Sequence, residues 1–224
     1  KMIDQIISDK LTSPKAVFGF WPANSDGDDI VIFEDYKRKK KLTKFHFLRQ
    51  QVNRKNSKRP NLCLSDFVSP IGLKDDYIGG FLVSAGEGIE NLAKKYECAN
   101  DDYNSILSKS IGDRIAEALA EMLHRDVRKN FWGYVPNEKL KNKDLISEKY
   151  IGIRPAPGYP ACPDHTEKKT LFELLDVANN LKVRLTENFA MTPASSVAGL
   201  YFSHPAASYF GVGIDYEDQI KDYA

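Results

Sequence analysis

The chain has 224 residues, 42% hydrophobic and 28% charged, an ordinary globular composition with room for one sizeable domain or two small ones. Lysine plus arginine (32) nearly balance aspartate plus glutamate (31), which excludes a global field favouring nucleic acid or an anionic membrane surface. Cys63, Cys98 and Cys162 form no C-x-x-C pair and argue for a reducing, cytoplasmic setting, and no apolar run approaches the roughly 18 residues of a membrane span.

Apolar residues at a helical period predict a helix over Met2 to Leu11, ended by Ser13-Pro14. Ala16 to Pro22 and Asp29 to Phe33 read as strands of a hairpin joined by the polar turn at 24–28. The basic run Lys37 to Lys41 reads as a solvated loop. A short strand is expected at Phe45 to Phe47, then a helical turn at Leu48 to Asn53 whose Arg49, Gln50 and Gln51 supply polar contacts, then a polar mobile run from Arg54 to Pro60. Leu62 to Val68 is apolar with Asp66 embedded in it. A strand spans Asp75 to Val83, where Gly79-Gly80 suggests a bulge or a closely packed second backbone.

Glu87 to Glu97 is helical, and Asp102 to Lys129 is expected to be one long amphipathic helix packing through Ile106, Leu107, Ile111, Ile115, Leu119, Met122, Leu123 and Val127. On a second stripe of it Asp113, Glu117 and Glu121 recur every four residues, a spacing at which like charges repel, so a counter-charge or donor is expected to face them. An aromatic cluster, Phe131 to Tyr134, closes the helix, and a shorter one from Leu140 to Tyr150 follows. Beyond 165 a helix opened by an Asp164/Glu167 capping box buries Leu171, Leu174, Leu175 and Ala178. Val183 to Met191, Val197 to Ser203 and Ser208 to Ile214 read as an antiparallel meander, and a helix is expected from Asp215 to the last residue. Helices in the middle and strands at both ends define one α+β domain.

The most distinctive stretch is Arg154 to His165, with four prolines in ten residues. Proline fixes φ and removes donors, so this is a stiff extended loop. Composition leaves a structural connector and a ligand cradle equally open. A zinc site at Cys162 and His165 lacks ligands, no G-x-S-x-G marks a serine hydrolase, and Gly86-Glu87-Gly88 lacks the third glycine of a dinucleotide loop. His46, His124, His165 and His204 have no partner identifiable in sequence, so structural roles are their default. A ligand with a cationic centre and a carboxylate would suit Glu117 and Glu148 on one side and Arg154 with loop amides on the other, with Tyr159 or Tyr209 against a flat ring.

Gly152 to Lys168, GIRPAPGYPACPDHTEK, strongly resembles the signature of the activation domain of cobalamin-dependent methionine synthase. Leu185-Thr186-Glu187, Leu200 to Pro205, Asp218 to Ala224, Leu48 to Gln51, Asp66 to Val68, Asp101 to Asn104 and Ala116 to Ala118 fit as well, so the likeness covers essentially the whole chain. The resemblance implies a single domain over 1–224 with a twisted antiparallel sheet and a central set of helices. It implies S-adenosylmethionine as ligand and reductive methylation of cob(II)alamin to methylcobalamin as role, with electrons from flavodoxin or a similar reductase. It carries the ligand set over to Arg154, Ala156, Gly158, Tyr159, Glu117, Glu148, Tyr209 and Phe210, with Tyr159 toward the corrin and no catalytic residue of its own. Cobalamin and zinc would belong to other modules of the same polypeptide, the cobalamin module being the docking partner. A further acidic ligand lies upstream in the family, so the resemblance also implies an N-terminally truncated C-terminal fragment that binds more weakly. A docking module for the reductase without a small ligand is the alternative. An ordinary S-adenosylmethionine-dependent methyltransferase would need a glycine-rich loop after a first parallel strand, and the chain has none.

Overall fold

The computed structural model describes residues 2–52, 60–213 and 216–223. Its centre is a five-stranded antiparallel sheet in the order β3-β2-β1-β4-β7. The strands are β1 (Lys15–Asp26), β2 (Asp29–Phe33), β3 (Lys41–Phe45), β4 (Asp76–Ser84) and β7 (Ser196–Tyr201). Gly27, at φ +64°, turns β1 into β2, so the first strand runs through most of the predicted turn and pairs Asp26 with Asp29. Strand β4 is buried on both faces by its period of two. Ile78 and Leu82 join the larger core with Leu171, Leu200 and Phe202, while Phe81 and Val83 face Ala120, Leu123 and Val127 of the helix layer.

The Gly79-Gly80 pair sits in unbroken register, opposite Phe20 and Gly19, so no bulge forms. Each glycine makes room for side chains instead of a second backbone. A Cβ on Gly80 would come 2.6 Å from Leu171 Cδ1, and one on Gly79 would come 3.0 Å from Phe20 and Tyr201.

Helices α1 (Met2–Ser8), α2 (Glu87–Cys98) and α3 (Asp102–Asp126) follow the sequence pattern, α1 and α3 in shortened form. Asp101 caps α3 by accepting from the Asn104 amide at 3.1 Å. The helix gives way to a π turn over Val127–Phe131. Of the expected apolar face, Leu123 and Val127 are buried and Ile111, Ile115 and Leu119 pack half-buried against the core, but the most buried line of the helix is one of mostly small residues. Ser105, Ser108, Gly112, Ala116, Ala120 and Leu123 point inward, whereas Ile106 is 64% and Met122 47% exposed. The reason is close approach: a Cβ on Gly112 would stand 2.5 Å from Ser195 Oγ and 2.6 Å from Ile89 Cγ2, so only a stripe of small residues fits there.

Other expectations are corrected. The strand predicted at 45–47 is β3 and ends at Phe45, no helical turn forms over 48–52, and most of the run predicted as mobile at 54–60 lies outside the described residues. Arg49, Gln50 and Gln51 are nevertheless polar hubs: Arg49 forks onto Asp66, Gln50 donates to the Gly211 carbonyl, and Gln51 donates to Asp218. Leu64–Phe67 is a 3-10 turn, and the short helix before the proline loop is only α4 (Asn142–Ile146). The next helix, α5 (Glu167–Leu174), begins at Glu167 itself. Asp164 instead accepts from the Thr166 amide and hydroxyl, so no Asp164/Glu167 capping box exists. Leu171 and Leu175 are buried as expected, but Ala178 lies exposed on α6 (Val177–Asn180), after a left-handed break at Asp176.

The C-terminal meander does not form either. Strands β5 (Arg184–Leu185) and β6 (Met191–Thr192) make a two-residue ladder, β7 joins β4 in the main sheet, and 208–213 is irregular. The proline-rich loop takes the outer edge of β7. Ile153 exchanges backbone bonds with Phe202 at 3.0 Å, and the Leu200 amide donates to the Pro155 carbonyl at 2.9 Å. An edge position needs no donor on its outer side, which is where a sheet tolerates proline. Gly199 lets the loop come this close, since a Cβ there would be 2.8 Å from the Pro155 oxygen. Helix α7 (Glu217–Tyr223) closes the chain, and its Tyr223 hydroxyl donates to Asp164 at 2.8 Å.

Candidate functional site: a groove between α3 and the proline-rich loop

Because the loop hangs on β7 and α3 crosses β4 and β7, the two face each other across the sheet end. Between them lies a groove of about 510 Å³, lined by Phe81, Glu117, Glu148, Arg154, Ala156, Tyr159, Tyr209 and Phe210, among others. Seven of the eight residues singled out in the sequence therefore converge. Gly158 does not line it. It stands at φ +98° within the tight turn whose Gly158 amide donates to the Cys162 carbonyl at 2.7 Å, and its missing side chain leaves space for the His165 ring. Its contribution is loop shape, not contact.

Arg154 is the electrostatic centre. Its side chain is 18% exposed and pairs with Glu121 through Nη2–Oε2 at 2.9 Å. Nη1 also donates to the Tyr150 hydroxyl at 3.1 Å and lies 3.3 Å from His124 Nδ1. Two guanidiniums lie near the Tyr150 ring, Arg128 at 4.5 Å and Arg154 at 5.8 Å from its centroid. Burial alone would disfavour the Arg154 charge, but Tyr150 and Glu121 more than offset it and its pKa is raised. The backbone amide of Arg154 donates to the Tyr209 hydroxyl at 3.0 Å.

The acidic stripe on α3 behaves as the repulsion argument required at two of its positions. Asp113 accepts from Ser195 Oγ at 2.9 Å, and Glu121 pairs with Arg154. Glu117, between them, is exposed at the groove and has no side-chain hydrogen bond or ion pair among the described residues, and the same holds for Glu148. Glu148 is presented by a left-handed residue, φ +52°, just after α4. The Ala156 amide likewise has no acceptor among the described residues. Tyr159 is 61% exposed at the mouth. No group of three or more His, Cys, Asp or Glu able to hold a metal ion occurs among the described residues.

Glu121, His124 and Tyr150 are the site residues that sequence reasoning missed. Glu121 was visible as the third member of the stripe, and His124 follows it by three positions on the same helix face, a signal that needed Arg154 placed opposite to be read. The other histidines have structural partners, His46 on Asp29 at 2.9 Å and His204 against Phe67 at 6.1 Å between rings.

Fold and site together define a class: an α+β domain on an antiparallel sheet, whose groove is lined by a largely buried arginine and by carboxylates without a partner among the described residues. The chain belongs to the family described as vitamin B12 dependent methionine synthase, activation domain, which it matches over residues 1–224. It is also similar to a solved structure described as the MetH reactivation domain bound to AdoHcy. The two share 50% sequence identity and a TM-score of 0.96, over 99% of this chain and 68% of that one. No helix among the described residues is long and apolar enough to cross a membrane.

Proposed function

We propose that the groove binds S-adenosylmethionine and that the domain thereby supports reductive methylation of cob(II)alamin to methylcobalamin, reactivating cobalamin-dependent methionine synthase. The observation that carries this reading is the donor count at Arg154. A guanidinium has five N–H donors and no acceptor. Three are directed at Glu121, Tyr150 and His124, and among the described residues no acceptor takes the other two, which suit a ligand carboxylate. The free Ala156 amide lies in the same groove, and the unpaired carboxylates of Glu117 and Glu148 complement an ammonium and a sulfonium. A volume of about 510 Å³ is in the range of small-molecule sites. The 50% identical relative described as bound to AdoHcy, the demethylated form of the same ligand, supports the assignment.

When bound, S-adenosylmethionine supplies an electrophilic methyl group. This chain's own residues bind and orient: Arg154 and Ala156 hold the carboxylate end, Glu117 and Glu148 the cationic end, and Tyr209 and Phe210 flank the flat ring. Tyr159, exposed at the mouth, is the side chain placed to meet the corrin. The partners in this reading are the cobalamin-binding module of the same polypeptide and a cytoplasmic reductase such as flavodoxin. Cobalamin and zinc reside in other modules, and the isolated domain does not turn over alone.

Thermal melts with S-adenosylmethionine, S-adenosylhomocysteine and ATP test it. The first two stabilise, by about 2.7 kcal/mol at one hundred times Kd, and ATP does not; equal stabilisation by all three sinks the proposal. In calorimetry Arg154→Ala weakens binding roughly 10- to 100-fold, the loss of a charge-assisted contact, and more than Tyr159→Phe does. Comparable losses from the two variants count against the assignment of Arg154.

A further inference from the structure

The geometry points to His124 as a positioning residue: its Nδ1 accepts from Arg154 Nη1 and so holds the guanidinium with its remaining donors toward the groove. This rests on the reading of Arg154 as the carboxylate-binding residue. Arginine offers donors only, so the 3.3 Å contact requires a lone pair on Nδ1. The imidazole proton is therefore on Nε2, which faces the Tyr134 hydroxyl at 3.4 Å. One tautomer satisfies both neighbours.

The ring has no freedom to turn away. His124 is fully buried, stacked on Tyr201 at 5.2 Å and 17°, and met edge-on by Tyr150 at 4.9 Å and 79°. Tyr201 in turn stacks on Phe81 at 4.6 Å, and Phe81 lines the groove. The groups facing the imidazole are Arg128, Arg154, Tyr134, Tyr150 and Tyr201. Burial first, then the two guanidiniums, hold its pKa well below the ordinary 6.5, so the acceptor lone pair is present throughout the neutral range. Glu121 fixes the other end: its Oε2 takes Nη2 while its buried Oε1 has no partner among the described residues, so within them Glu121 is held by Arg154. Arg154 is thus anchored at both terminal nitrogens before any ligand arrives, which lowers the entropy lost on binding.

The two isosteric replacements of histidine separate the role from mere packing. Asparagine places its oxygen near the Nδ1 position, whereas glutamine mimics Nε2. We expect His124→Asn to keep S-adenosylhomocysteine affinity within about three-fold in calorimetry, and His124→Gln and His124→Leu to weaken it ten-fold or more. These losses are expected not to follow the melting temperatures of the unliganded variants. Equal affinities for the Asn and Gln variants, or losses that simply track the melting temperature, overturn the inference. Arg154→Ala is measured alongside. If it weakens binding and the His124 variants do not, the inference alone fails; if it leaves affinity unchanged, the ligand reading of Arg154 fails and takes the inference with it. Should the variants not fold, nitrogen-15 NMR of the wild-type chain still decides. The imidazole of His124 is expected with its proton on Nε2 and none on Nδ1, and a proton on Nδ1 overturns the inference.

Discussion

Replacing Gly158 by alanine tests whether loop shape, not a side-chain contact, is what this position supplies. At φ +98° an L-residue is strained by about 1–3 kcal/mol. In addition, the new Cβ would lie 2.1 Å from His165 Cε1 and 2.6 Å from Nδ1, so the ring must move by more than an ångström. That displacement breaks the 2.8 Å bond from Lys168 Nζ to His165 Nδ1, a charge-assisted contact of about 1.5–3 kcal/mol. Together these lower stability by roughly 3–5 kcal/mol, or about 10 °C in a domain of this size. The assay is differential scanning calorimetry of Gly158→Ala, His165→Ala and the double variant. Because His165→Ala removes the obstacle, the Gly158 substitution is expected to cost only its backbone strain in that background. A Gly158→Ala loss below about 1 kcal/mol, or an equal loss with and without His165, refutes the reasoning.

Glu167 gives a pH-dependent prediction. It is buried, its Oε2 has no partner among the described residues, and burial with Asp164 and Asp29 nearby raises its pKa from 4.5 to about 7. The folded state therefore holds the proton more tightly than the unfolded one, so this group's contribution is present below pH 4.5 and lost as pH rises through about 7. Glu167→Gln does not titrate, and its stability relative to wild type grows from near zero at pH 4 to about 3 kcal/mol at pH 8; a pH-independent difference contradicts this. Glu138→Ala strands the fully buried Arg128, whose Nε and Nη2 it accepts from at 2.7 and 2.8 Å. Urea denaturation is expected to show a loss of about 3–5 kcal/mol, and a loss under about 1 kcal/mol speaks against the pair.

Local signals in the chain made the elements with strong periods legible: β1, β2, β4, α2 and α3 lie close to where alternation, period and the Asp101 cap put them. What stayed hidden was set by tertiary contact. On α3 the pattern placed Ile111, Ile115, Leu119 and Leu123 correctly but also marked the exposed Ile106 and Met122, and it missed the small-residue line because close approach to Ile89 and Ser195, not apolarity, selects Gly112 and its neighbours. The C-terminal strands were misread because a six-residue apolar run does not reveal its partner, and β7 pairs with β4 across more than a hundred positions. At the site, Glu117, Glu148 and Arg154 were legible as opposite charges suited to a ligand with a cationic centre and a carboxylate, and through the family resemblance. His124 was not, since nothing near it in sequence foretells a guanidinium thirty positions on.

The attachment of the proline-rich loop to β7 has a kinetic consequence. One wall of the groove is also the outermost row of the sheet ladder, so swinging it aside would leave the Leu200 and Phe202 amides without acceptors, at about 1–3 kcal/mol each. Opening of this wall as a hinged flap therefore carries a cost that side-chain motion at the mouth does not. In the proposed reading, a bound molecule exchanges through the open mouth past Tyr159, by rotation of exposed side chains on nanosecond scales, so release is governed by the strength of its contact with Arg154.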